Sequence, residues 1–177
     1  MRPAFLPDFD KIPAKHHKVL ARELEAMARG EQDRMAVSEP PGAAKSFYCS
    51  ILFPTWLLAR DPSNLTLSVT ASETITESFS RRRRQILQTE RWQLLASTCL
   101  MPDAQSLTFQ GTKEGGGIWA FGAGSTIQSI RADQLLADDL VTGNEQAGNM
   151  RQLDKLWDWY VSEARARLKP GGIELFI

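Results

Sequence analysis

Eight consecutive residues, Glu39-Pro40-Pro41-Gly42-Ala43-Ala44-Lys45-Ser46, hold the densest chemical signal in this chain. A short apolar run, Met35-Ala36-Val37, precedes them, and a helical pattern follows from Lys45 to about Ala59. A loop between a strand and a helix can converge backbone N–H groups on phosphate oxygens at the helix N-terminus. A lysine there reaches the terminal phosphates as a point charge, and a hydroxyl beside it ligates magnesium. Lys45 and Ser46 stand in that order, which makes Pro41, Gly42, Ala43, Ala44, Lys45 and Ser46 the candidate ATP-binding residues. The match to G-x-x-x-x-G-K-[ST] departs twice, with Glu39 at the first glycine position and Ala44 at the last. Ala44 adds a methyl where backbone approaches phosphate closely, so strain or a shifted loop is expected. By itself the octapeptide fits equally well a Pro-Gly turn followed by a helix that opens Ala-Lys-Ser.

A second signal is Leu135-Leu136-Ala137-Asp138-Asp139, an apolar strand pattern ending in adjacent acids. A phosphate-loop ATPase needs one acid to hold hydrated magnesium and another to orient or deprotonate the attacking water. A strand end would bring both beside the loop, where open α/β sheets bind ligands. Acids also commonly mark the solvent end of a strand, so the pair gains specificity only from its company and order. The candidate catalytic residues are thus Lys45, Asp138 and Asp139, and the candidate magnesium ligands are Ser46 and Asp138.

The elements that must position these residues follow from periodicity and turn chemistry. The pattern predicts an irregular lead-in over 1–12 and helices over 13–29, 45–59, 76–95 and 145–168. Strands are expected at 35–37, 65–69, 107–109, 118–121, 134–137 and 173–177, with breaks at Pro40-Pro41-Gly42, Asp61-Pro62-Ser63-Asn64, Gly115-Gly116-Gly117 and Pro170-Gly171-Gly172. Short apolar strands alternating with long helices predict an α/β domain, with a mainly parallel sheet and helices on both faces.

Composition narrows the classes. The 177 residues suffice for one well-buried domain, and 42% hydrophobic with 24% charged residues is a soluble globular composition. Lys+Arg and Asp+Glu both total 21, which excludes a strongly basic nucleic-acid-binding domain as a global description. Cys49, Cys99, His16 and His17 are too few for a disulfide framework or a typical structural zinc site. No apolar stretch approaches the roughly 20 residues that span a bilayer, and the N-terminus lacks an apolar signal region. These features lead to the expectation of a cytoplasmic, reduced protein, or a fragment of a larger one.

At PPGAAKS followed by FPTWLLAR, the sequence resembles the Walker A region of large terminase subunits from tailed bacteriophages and prophages. The resemblance continues through Ser129-Ile130-Arg131-Ala132-Asp133 before the Asp138-Asp139 strand, Leu156-Trp157-Asp158-Trp159-Tyr160, and Arg167-Leu168-Lys169-Pro170-Gly171-Gly172. It runs from about Pro13 to Ile177, and the shared order of segments is more specific than any one of them. It implies a RecA-like P-loop ATPase that uses ATP and Mg2+ to drive double-stranded DNA into a capsid. The implied partners are the small terminase subunit, the portal protein and further copies of the chain in a ring, in the host bacterial cytoplasm. Lys45 resembles the Walker A lysine, Ser46 the magnesium-ligating hydroxyl and Asp138 the Walker B aspartate. Asp139 falls where many such motors carry a catalytic glutamate. The coupling segment expected after the last strand and the family's nuclease domain have no counterpart up to Ile177, so no nuclease activity is expected of this chain. Two alternatives stay open: a truncated prophage remnant that binds nucleotide without translocating DNA, and another P-loop ATPase of the helicase-like kind. In such motors the last strand lies beside the P-loop strand, which leaves Met35 to Ser38 poorly covered on its other side.

Four further features have plainer readings. Arg81 to Arg84 could contact DNA or a neighbour's ATP, but consecutive helical residues point about 100° apart, so a solvated face is expected for most. His16 and His17 could approach a base, and an exposed or half-buried helix position is the simpler role. Leu153, Leu156, Trp157, Tyr160 and Ala164 form a helical stripe expected to face the core rather than stack on DNA. Cys49 and Cys99 read as buried small hydrophobes.

Overall fold

The computed structural model describes residues 13–96 and 100–177. Helix α1 (Lys15–Ala28) ends at Gly30, whose φ of +77° closes it in the left-handed region. Strand β1 (Arg34–Ala36) leads into the 39–46 loop and then a helical run over 45–60. That run opens with a π-helical turn, Phe47–Leu52, and continues as α2 (Phe53–Arg60). Pro54 explains the widening. It has no N–H for the carbonyl of Ser50, four residues back, and the Phe53 N–H reaches five residues back to Tyr48. Next come β2 (Leu65–Thr70), α3 (Glu73–Leu87), α4 (Glu90–Leu95), β3 (Leu100–Gln105), β4 (Phe109–Thr112), β5 (Gly117–Gly122) and β6 (Ala132–Asp138). The remainder is α5 (Gly143–Ala147), α6 (Met150–Trp159), a π turn Tyr160–Ala164, a 3-10 turn Arg165–Arg167 and β7 (Leu168–Phe176).

The seven strands form one sheet in the order β1-β7-β6-β2-β5-β4-β3. The first five run parallel and β4 and β3 add antiparallel, so the protein is α/β with a mostly parallel, mixed sheet. Among the described residues β1 is an edge strand held by β7 alone, as expected for Met35 to Ser38. Among the described residues no helix is long and apolar enough to cross a membrane.

Four expectations change. The helix read over 76–95 begins at Glu73, with Ser72 as N-cap, and divides into α3 and α4 because Thr89 caps a new start by accepting from the Trp92 N–H. The long helix read over 145–168 breaks at Gly148, and Asn149 caps α6 by accepting from the Gln152 N–H. Strand β3 was not expected, because Leu-Met-Pro-Asp is a poor strand sequence; Pro102 is tolerated there because β3 is the other edge. The Pro170-Gly171-Gly172 break is absorbed inside β7. Its register against β6 slips between Ala132↔Leu168 and Gln134↔Ile173, and Gly171 takes a φ of +78°. The expected lead-in over 1–12 lies outside the described residues.

Two cores flank the sheet. One joins Leu24, Met27, Ile51, Phe53, Leu58 and Trp92 to Leu136 and Leu175 of the strands. The other joins Leu67, Val69, Leu135 and Ala137 to Ile127, Tyr160 and Ala164. Alternation along β6 sends Leu135 and Ala137 to the second face and Leu136 and Asp138 to the first. Asp138 therefore points toward the helix that carries Ser46.

Candidate functional site

The 39–46 loop turns through two residues with positive φ. Gly42, at +85°, adopts this region without a steric cost. Ala44, at +63°, places a β-carbon in the left-handed region, which costs about 1–2 kcal/mol. The strain expected at this position is thus present, in the residue that stands where the motif has glycine. The helix opens directly behind it, with the Tyr48 N–H donating to the Ala44 carbonyl at 3.1 Å. From the neighbouring helix, His17 Nε2 lies 3.0 Å from the Ala43 carbonyl, and its half-buried ring stacks on Tyr48 at 4.7 Å. His16 is exposed.

The candidates separated by most of the chain meet at the ends of β6 and the 45–60 helix. Lys45 Nζ donates to Asp139 Oδ1 at 2.7 Å. Ser46 Oγ donates to Asp138 Oδ1 at 3.1 Å. One helical turn further, Ser50 Oγ donates to the other oxygen, Oδ2, at 2.6 Å. Asp138 is only 2% exposed, and burial raises its pKa above the ordinary carboxylate value. The charge of Asp139 pushes the same way, while the Ser50 and Ser46 hydrogen bonds and the charge of Lys45 oppose it. Asp139 is exposed and turns the chain out of β6 at a φ of +44°, with its N–H donating to the Ile177 carbonyl at 3.0 Å.

This arrangement has defined chemical capacities. Lys45 can exchange one anionic partner, the Asp139 carboxylate, for another, such as a phosphate. Ser46 and Asp138 present hard oxygen donors side by side, the donor type that Mg2+ prefers. Among the described residues no group of three or more His, Cys, Asp or Glu side chains could hold a metal ion. A magnesium ion here would take Ser46 and Asp138 from the protein and its remaining ligands from phosphate and water, its usual habit.

Two residues that the sequence did not single out complete the surroundings. Ser50 is one. The other is Arg83, the third arginine of the Arg81–Arg84 run, which is fully buried. Its Nη1 donates to the Ser50 carbonyl and to Ser68 Oγ, and its Nη2 to Ser80 Oγ, all at 3.0 Å. The Ser50 carbonyl is the acceptor that Pro54 cannot satisfy. Burial pulls the pKa of Arg83 down to about 10, so it stays protonated at neutral pH. Arg83 is thereby removed from the set that could reach DNA or a neighbouring subunit. The expected solvated face holds for Arg81, paired with Glu77, and for Arg82; Arg84 reaches the Gln105 carbonyl. A sequence signal for Arg83 exists in Leu65-Thr66-Leu67-Ser68-Val69-Thr70, whose polar alternate residues are buried with it.

Cys49 is buried as expected, and burial, with the charges of Asp138 and Glu39 behind it, pushes its thiol up to about 12. Cys99 lies outside the described residues.

The expected core stripe on the long helix is only half realised. Tyr160 and Ala164 are buried, but α6 buries none of its residues and Trp157 is 57% exposed. Leu153, Leu156, Trp157 and Tyr160 instead line a cavity of about 510 Å3 together with Phe176, Ile177 and Asp139. Comparison with protein-family models and with curated proteins finds no match to this chain.

Proposed function

We propose that this chain is a magnesium-dependent ATPase, the motor part of a phage or prophage terminase large subunit built on a RecA-like P-loop fold. The observation that carries the reading is the convergence of two neighbouring pairs. Lys45 and Ser46 meet Asp139 and Asp138 across 94 and 92 positions of sequence. The strand order supports the same reading, since β7 lies between the strand that leads into the loop and the strand that ends in the acids.

In this reading the loop 41–46 cradles the phosphates of ATP, and Lys45 leaves Asp139 for the terminal phosphate. Ser46 and Asp138 would hold magnesium, which supplies charge neutralisation at the transferring phosphoryl group. Asp139, freed from Lys45, orients the attacking water from the exposed side. Double-stranded DNA, the small terminase subunit, the portal protein and a ring of identical copies are the partners this reading assigns.

The test is ATP hydrolysis measured with and without magnesium. Turnover is expected to require the metal and to fall at least 100-fold in Lys45→Ala, the scale of losing one electrostatic stabiliser of the transition state. Undiminished turnover in that variant overturns the site. A second reading, nucleotide binding without hydrolysis, is favoured by one observation: Asp139 is a short acid already committed to Lys45. Calorimetry that finds tight ATP binding with no turnover would decide for it.

A further inference from the structure

Asp138 would work as a magnesium-holding group only if its carboxylate keeps one orientation while Ser46 turns its hydroxyl oxygen to the metal. Ser46 ties down only one carboxylate oxygen: its hydroxyl can ligate a metal through a lone pair and still donate its proton to Asp138 Oδ1. The other oxygen of Asp138 is held independently, by Ser50 Oγ at 2.6 Å, from a buried position one turn along the same helix. Ser50 is in turn held from behind. Its carbonyl accepts from Arg83 Nη1 at 3.0 Å, and the same nitrogen donates to Ser68 on β2, while Nη2 grips Ser80 on α3. Arg83 has no carboxylate partner among the described residues, and its Nε is a buried atom with no hydrogen-bond partner. A fully buried guanidinium without an acid is costly. Its hydrogen bonds go instead to the helix that carries Ser46 and Ser50, to α3 and to β2, whose Thr70 lies opposite Asp138 on β6.

We propose that Ser50, clamped by Arg83, is a positioning residue that fixes the Asp138 carboxylate for metal binding, so that Arg83 ties β2 and α3 to the metal-binding end of the site. This rests on the ATPase reading given above. Neither residue touches nucleotide or metal; both act through Asp138. The guanidinium fork is needed because a lysine ammonium at the same place has no planar pair of nitrogens to hold the Ser50 carbonyl and Ser80 together.

The experiment titrates magnesium in the ATPase assay of the full chain at saturating ATP, beside ATP binding measured in EDTA. Ser50→Ala is expected to raise the half-maximal magnesium concentration roughly tenfold, the usual size of a lost outer-shell contact. Its metal-free ATP affinity should stay at the wild-type value, and Ser50→Thr, which restores the hydroxyl, should recover the magnesium requirement. Arg83→Met, close in length and apolar, should shift the magnesium requirement in the same direction, and Arg83→Lys should not rescue it fully. A wild-type magnesium requirement in Ser50→Ala overturns the proposal, as does an equal loss of metal-free ATP affinity. A crystal structure of nucleotide-free Ser50→Ala separates the two levels. An unmoved Asp138 carboxylate overturns the positioning role whatever the activity. A displaced carboxylate in a protein whose wild type neither binds nor hydrolyses ATP supports that role and overturns the ATPase reading.

Discussion

On one face of the sheet the 45–60 helix buries Tyr48, Cys49, Ser50, Ile51, Leu52, Phe53, Pro54 and Thr55 in succession, while on the other face α6 buries none of its residues. Both helices carry aromatic and aliphatic residues at helical spacing, and each lies near one of the two acids that end β6. The difference lies in what backs them. The first is sandwiched between the sheet, α1 and α3, and even its polar face is occupied, by Asp138 and Arg83. The second has sheet on one side and a cavity beside Trp157. The comparison teaches that a candidate phosphate-and-metal site can be rigid on the side of Asp138 and open on the side of Asp139. The acid expected to hold an ion is buried and doubly hydrogen-bonded; the acid expected to handle water is exposed and paired with Lys45.

The largest effect that would test this contrast is expected from Arg83→Ala. Removing a buried side chain and leaving Ser50, Ser68 and Ser80 without their donor should cost about 3 kcal/mol or more of unfolding free energy. Urea denaturation measures it, and a loss no larger than that of a surface variant would erase the distinction between the two faces.

Asp138→Asn is expected to act in the opposite direction on stability. Burial raises the folded-state pKa of Asp138, so the folded protein binds that proton more tightly than the unfolded chain does. The favourable contribution is complete below the ordinary value of 3.8 and is lost as pH rises through the raised value. At neutral pH the neutral amide avoids that loss and should stabilise by about 1 kcal/mol while abolishing turnover. The gain should vanish on acidification below the ordinary carboxylate pKa; a gain that persists there, seen in melts across pH, would contradict the assignment to ionisation.

Ala44→Gly should relieve the left-handed strain at the loop. Because glycine also loosens the unfolded chain, the net gain should be under about 1 kcal/mol. Tighter metal-free ATP binding is its more sensitive readout. The smallest effect is expected from Trp157→Ser on the open face, within about 0.5 kcal/mol of wild type. A cost of several kcal/mol there would mean that the cavity is a closed core in solution.

The legibility of the site followed the same division. Lys45, Ser46, Asp138 and Asp139 were readable because their roles depend on local order: loop before helix, strand before acids. Ala44 was readable as a misfit for the same reason. Ser50 and Arg83 were not, because their importance comes from tertiary contacts. Four consecutive arginines read as solvated, and nothing local distinguishes the one that α3 turns inward. The buried polar alternation in Thr66, Ser68 and Thr70 was the available hint, since polar strand faces ordinarily meet water. The mainly parallel sheet was readable from the alternation of strands and helices. Two of its parts were not: β3 hides behind Pro102 and Asp103, and the start of β7 runs through a Pro-Gly-Gly sequence that reads as a stop. The break at Gly148-Asn149 was visible as a cap signal and was overridden by the periodicity around it.

The edge position of β1 has a kinetic meaning. Among the described residues this strand joins the sheet only through β7, pairing Arg34 with Glu174 and Ala36 with Phe176. During synthesis, β1 and the loop behind it leave the ribosome long before β7 exists. At translation rates of about 5–20 residues per second the delay is on the order of ten seconds. Through that interval the apolar 45–60 helix lacks Leu175 to pack on, and a nascent chain cannot yet close the 39–46 loop against the sheet. Loop closure over so long a separation is also the slow step expected in refolding. On the proposed ATPase reading, competence to bind nucleotide should therefore arise late and all at once, which would make ATP affinity a reporter of completed folding.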